Sequence, residues 1–119
     1  MRVPIETVVA ASQSGSLRLV DARAPERFAG QNETIDKAAG HIPGAGNHFF
    51  KQNFTAEGTL RPAHELRAAL TGATQSKPMS EVVMYCGSGV TACQNLLALE
   101  HAGLPGARLY VGSWSEWSA

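Results

Sequence analysis

The chain has 119 residues, 44% hydrophobic and 17% charged, with ten Lys and Arg balancing ten Asp and Glu. That length makes a single domain able to bury roughly two-thirds of its unfolded surface, and the composition excludes a disordered tail. Zero formal net charge excludes the surplus of cations by which proteins hold nucleic acid or an anionic membrane, so neither partner is expected.

No apolar stretch approaches the roughly 20 residues of a membrane-spanning helix. Pro4 and Glu6 fall where a secretory signal has its apolar centre, so no export signal is read. Cys86 and Cys93 stand seven apart, and His41, His48, His64 and His101 are scattered without the spacing of a zinc site. Neither a metal nor an organic cofactor is expected, and the two thiols fit a reduced, cytoplasmic protein.

In chain order, Pro4–Ser12 reads as a helix stopped by Ser14 and Gly15, and Leu17–Val20 as a brief strand ending at Asp21. Ala24–Phe28 forms one helical turn. A polar loop from Gln31 to Ala39 leads into the turn-rich Gly40–Asn47, with a very short strand near Ala45–His48. Pro62–Leu70 predicts a helix, with Leu66 and Leu70 on one face and Gly72 beyond its end. Glu81–Tyr85 is a near-continuous apolar run suited to a strand buried on both faces. Val90–Ala102 follows as a helix closed by Gly103, then Arg108–Val111 as a strand and Gly112–Trp114 as the start of a last turn. Strands alternating with helices predict an α/β fold, a small open parallel sheet flanked by helices on both faces.

The junction at Cys86 carries the chemistry. A buried strand runs into Cys86-Gly87-Ser88-Gly89 and then a helix opening near Thr91, and ligands of open α/β sheets bind at the carboxyl ends of strands. Gly87 and Gly89 permit a turn with several N–H groups on its inside, and the helix adds its own unsatisfied N–H groups and positive dipole end. Such donors favour an anionic sulfur and hold an anion delivered to it, which makes Cys86 a candidate nucleophile. A phosphatase of the Cys-x5-Arg type needs arginine at the position of Ala92, and a nucleotide-binding loop needs a lysine, but none follows Lys77. Cys93, among Ala92, Leu96 and Leu97, is expected in the core.

The stretch Cys86-Gly87-Ser88-Gly89-Val90-Thr91-Ala92 resembles the active-site loop of the rhodanese-type sulfurtransferases, in the form of the 3-mercaptopyruvate branch. Three further motifs stand in that family's order: Val20-Asp21-Ala22-Arg23 with Glu26-Arg27-Phe28, Gly40-His41-Ile42-Pro43-Gly44-Ala45, and Gly112-Ser113-Trp114-Ser115-Glu116-Trp117. The resemblance implies that residues 1–119 are a single catalytic domain excised from a tandem protein whose N-terminal rhodanese-like partner is missing. It implies a ping-pong sulfur transfer through a Cys86 persulfide, from a small-molecule donor to a thiophilic acceptor such as cyanide or a thiol. The backbone N–H groups from Gly87 through Ser88, Gly89, Val90 and Thr91 would hold the persulfide, with Ser88 and Thr91 also open to ordinary turn and N-cap roles. Arg27 matches the donor-binding arginine, whose fork suits a carboxylate or a sulfonate. Asp21, Arg23 and His41 read as structural, and Trp114 and Trp117 as core or interface aromatics.

The resemblance also has a gap. Classical mercaptopyruvate enzymes carry a second arginine in the loop before the Gly-His-Ile-Pro-Gly turn, whereas Gln31–Ala39 holds Glu33, Asp36 and Lys37 but no arginine. Thiosulfate and 3-mercaptopyruvate therefore both stand as donors. Two other classes remain at this point, a noncatalytic docking module and a thiol redox sensor using Cys86 with Cys93.

Overall fold

A computed structural model of the chain describes residues 2–31, 40–87 and 91–119. Four parallel strands form one sheet in the order β2-β1-β3-β4: β1 is Arg18–Asp21, β2 Gly46–Asn47, β3 Val82–Tyr85 and β4 Arg108–Leu109. β1 and β3 pair along their whole length, from Arg18 opposite Val82 to Asp21 opposite Tyr85. The helices are α1 (Ile5–Ser14), α2 (Pro25–Phe28), α3 (Ala63–Ala73), α4 (Ala92–His101) and α5 (Ser113–Trp117).

β3 shows why the sheet is covered on both sides. Its four residues are completely buried, and their side chains alternate between two cores as a pleated strand requires. Val82 and Met84 join Val20, Leu66, Leu70, Ala98 and Leu99 under α3 and α4. Val83 and Tyr85 join Val3, Val8, Leu19, Ile42, Tyr110 and Trp114 under α1 and α5. Full burial of each large apolar side chain contributes about 1.5–3 kcal/mol, so both faces are anchored by many independent terms.

The α/β expectation holds, with differences at the edges of elements. α1 runs two residues past Ser12 and stops where Gly15 takes a left-handed φ of 72° and its N–H returns to Ala11. α3 passes through Gly72 instead of ending before it, because Leu66 and Leu70 anchor the helix on the core and Gly72 meets no neighbour. Its stop is Thr74, whose N–H and hydroxyl both bond the Leu70 carbonyl, followed by Gln75 and Ser76 at φ near +55°. Two 3-10 turns, Phe50–Asn53 and Met79–Glu81, were not predicted, and the second takes Glu81 out of β3. β4 keeps only two of its four predicted residues, since the chain bends after Tyr110 to bring Ser113 beneath β3. Among the described residues no helix is long and apolar enough to cross a membrane.

Candidate active site

Cys86 follows β3 directly, at the carboxyl edge of the sheet, with 1% of its surface exposed. Neither Cys86 nor Cys93 is part of a disulfide. α4 begins at Ala92, so the cysteine stands between the end of the most buried strand and the start of a ten-residue helix. Thr91, half-buried and helical in φ and ψ, makes no side-chain capping bond. Of the predicted cradle, Gly87 and Thr91 are described, while Ser88, Gly89 and Val90 lie outside the described residues, as does Lys37. Gly87 does not adopt a left-handed φ, and a Cβ added there would meet only Arg23 Cδ at 3.9 Å. Position 87 therefore makes no conformational demand for a glycine.

The main chain around Cys86 is held by residues 27 to 28 positions further on. In a parallel ladder with Met84 opposite Leu109, the Tyr110 N–H donates to the Met84 carbonyl, and it does so at 3.0 Å. The next bond of such a ladder would run from the Cys86 N–H to the Tyr110 carbonyl. Instead the Cys86 N–H donates to Ser113 Oγ at 3.0 Å, and that hydroxyl donates to the Tyr110 carbonyl at 2.9 Å. The first turn of α5 completes the hold: Trp114 N–H bonds the Cys86 carbonyl at 2.9 Å and Ser115 N–H the Gly87 carbonyl at 2.8 Å. These donors are the groups a helix start leaves without intrahelical partners.

Asp21 and Arg23, at the end of β1, form a buried ion pair beside this junction. Arg23 Nε and Nη2 fork onto the Asp21 carboxylate at 2.7–3.1 Å, and the Arg23 N–H adds a bond at 2.9 Å. The same guanidinium bonds the Gly40 carbonyl and lies 5.0 Å from the centre of the Trp114 ring. The structural reading of both residues agrees with this arrangement, and Trp114 sits in the core as expected. The Tyr85 hydroxyl accepts the Ile42 N–H, and burial first, then the Asp21 charge, raises its pKa so that it stays neutral.

Arg27 lies half-buried in the single-turn α2, which leaves β1 at the same edge from which Cys86 leaves β3. His41 fastens that turn. Its ring stacks on Phe28 with centroids 3.8 Å apart, and its Nδ1 is 2.8 Å from the Phe28 carbonyl. A carbonyl only accepts, so Nδ1 carries the proton and His41 acts here as a support of α2.

Cys93 is exposed, contrary to expectation. The buried face of α4 is Ala92, Asn95, Ala98 and Leu99, which turns Cys93 and Leu97 to the opposite side. Leu97 is 54% exposed, so the apolar run hid which stripe faces inward. Asn95 belongs to a closed ring that sequence reasoning missed: His48 Nε2 donates to Asn53 Oδ1, Asn53 Nδ2 to Asn95 Oδ1, and Asn95 Nδ2 to the His48 carbonyl, at 2.8–2.9 Å. The ring ties α4 to the chain just after β2. Burial lowers the His48 pKa, against a smaller opposing effect of the Asn53 bond. A polar residue three positions after buried Ala92 was the one available signal for it. Ser113 had none, because its partner is 27 residues away.

The comparisons with known proteins concern the chain as a whole. The family described as "Rhodanese-like domain" matches residues 5–119. A probable 3-mercaptopyruvate sulfurtransferase of Pseudomonas aeruginosa is 52% identical over 101 residues, covering 85% of this chain and 36% of that protein. A thiosulfate sulfurtransferase of Cricetulus griseus is 36% identical, covering 94% of this chain and 38% of that protein. The solved structure of 3-mercaptopyruvate sulfurtransferase from Leishmania major superposes with a TM-score of 0.80 at 33% identity, covering 98% of this chain and 32% of that one. The chain thus spans less than half the length of these relatives, and it belongs to the rhodanese-like domain family.

Proposed function

We propose that this chain is the catalytic sulfurtransferase domain of a longer tandem protein, with Cys86 as the sulfur carrier. The observation that carries the reading is Cys86, outside any disulfide, at the carboxyl end of the fully buried strand β3 and six residues before the start of α4. The names of its relatives, which include both thiosulfate and 3-mercaptopyruvate sulfurtransferases, support the same class of reaction. Coverage of 36–42% of such relatives leaves room for a second domain in the longer protein. Two cysteines not joined in a disulfide suit a reducing compartment such as the cytoplasm.

In the first half-reaction the Cys86 thiolate attacks the outer sulfur of thiosulfate. A sulfur–sulfur bond forms at Cys86, and the bond to the sulfonate sulfur breaks with its electron pair leaving on sulfite. With 3-mercaptopyruvate the carbon–sulfur bond breaks instead, and the electron pair and the thiol proton leave with pyruvate. In the second half-reaction cyanide or a thiolate attacks the terminal sulfur, and Cys86 departs as thiolate. Both steps leave a net negative charge at the sulfur, and the main-chain N–H groups from Gly87 to Thr91, with the start of α4, would be the donors that stabilise it. Arg27 binds the carboxylate or sulfonate end of the donor through its planar fork.

Incubation with either donor, followed by mass analysis, is expected to add one sulfur atom to the Cys86 peptide and none to the Cys93 peptide. Cys86→Ser is expected to abolish transfer to cyanide. Unchanged transfer by that variant would remove the proposal, and comparison of the two donors assigns the substrate.

A further inference from the structure

We propose that Ser113 is a positioning residue for Cys86, its hydroxyl spliced into the β3–β4 ladder between the Cys86 N–H and the Tyr110 carbonyl. This rests on Cys86 being the sulfur carrier. Three observations carry it. The hydroxyl replaces the direct bond that the register of β3 and β4 calls for, so it separates the two strands at the position of the nucleophile. Ser113 is completely buried, so water does not stand in for the hydroxyl when it is removed. Its φ is +53°, a conformation that glycine takes freely and that a side chain resists. A serine in this place therefore resists its own backbone, and what it supplies in return is the relay beneath Cys86.

The relay fixes one side of the Cys86 residue and α5 fixes the other. Ser113 Oγ sets the peptide plane before Cys86, while Trp114 and Ser115 N–H groups set the two carbonyls after it. Without the hydroxyl, either the Cys86 N–H stays unpaired or β3 closes onto Tyr110 to form the direct bond. Both alternatives rotate the main chain that aims the sulfur. An attack on a donor sulfur tolerates little misdirection, since shifts of about 1 Å in reacting groups can cost on the order of 100-fold in rate.

The experiment compares Ser113→Gly with Ser113→Ala at a temperature where both remain folded. Glycine removes the hydroxyl and the resistance to a left-handed φ, whereas alanine removes the hydroxyl alone. Positioning predicts that both variants lose sulfur uptake at Cys86 by a similar factor, about 10- to 100-fold in single-turnover rate. The KM for donor should stay near the parent value, and the Cys86 amide should exchange its hydrogen faster. A merely structural serine predicts that the rate follows thermal stability, with alanine impaired and glycine at or near the parent rate. Parent-like uptake by Ser113→Gly would overturn the inference. If the parent chain takes sulfur from neither donor, the sulfurtransferase reading fails. The alkylation rate of Cys86, resolved from Cys93 by peptide mass, then decides the role of Ser113: a changed rate in both variants supports it and an unchanged rate in either overturns it.

Discussion

Two buried polar groups flank the carboxyl edge of this sheet, and they are built from opposite materials. On the α5 side, Asp21 and Arg23 form a charged, forked pair capped by the Trp114 ring. On the α4 side, His48, Asn53 and Asn95 close a ring of neutral hydrogen bonds. The charged pair joins neighbours two residues apart and reaches out to Gly40, whereas the ring joins three segments up to 47 residues apart. One organises a turn, the other fastens a helix to a sheet.

The difference sets what happens when each is broken. Arg23→Ala strands the Asp21 carboxylate, and the expected loss of folding stability is about 3–5 kcal/mol in chemical denaturation. The double change Asp21→Leu with Arg23→Met removes both charges, and it should cost less than Arg23→Ala alone. A double variant as unstable as the single one would show that the bond to Gly40 outweighs the charge pairing. Asn95→Leu leaves the Asn53 amide and the His48 carbonyl without partners, an expected loss of about 1–3 kcal/mol by the same measurement.

The neutral ring also contains a group that titrates. His48 is buried neutral with its pKa lowered, so the unfolded chain binds a proton more readily than the folded one. The contribution of this histidine is complete above its unfolded value of about 6.5 and is lost as pH falls below it. It levels off once pH passes the lowered folded value. The slope from one such group is at most about 1.4 kcal/mol per pH unit. His48→Gln should flatten the stability profile between pH 6.5 and lower pH, read by denaturation at several pH values; an unaltered slope would assign the titration elsewhere. The smallest effect is expected far from both groups. Gly72→Ala, inside α3 with open space around it, should raise stability by about 0.5–1 kcal/mol.

What the sequence made legible follows the range of the interaction concerned. β3, with its unbroken Val82-Val83-Met84-Tyr85, was readable because burial on both faces writes itself into consecutive residues. The place of Cys86 between β3 and α4 is readable because both elements lie close to it in the chain. Cys93 was misread because Leu96 and Leu97 made the helix look apolar all round, and only tertiary packing selects the inward stripe. Gly72 looks like a stop in the sequence yet lies inside α3, since its helix-propensity cost of about 1 kcal/mol is smaller than the gain from burying Leu66 and Leu70. His48, Asn53 and Asn95 look like surface residues one at a time, since what permits their burial is one another. Ser113 was noticed as part of a motif, but its bond to Cys86 depends on the β3–β4 register, which no local pattern contains.

The relay from Ser113 also carries a consequence in time. A nascent chain extends at about 5–20 residues per second, so roughly 1–5 seconds separate synthesis of Cys86 from synthesis of its hydroxyl partner 27 residues later. For that interval the thiol has been made and its lock has not. Until then nothing on the α5 side holds the main chain at Cys86, and its position is set only when β3 and α5 come together.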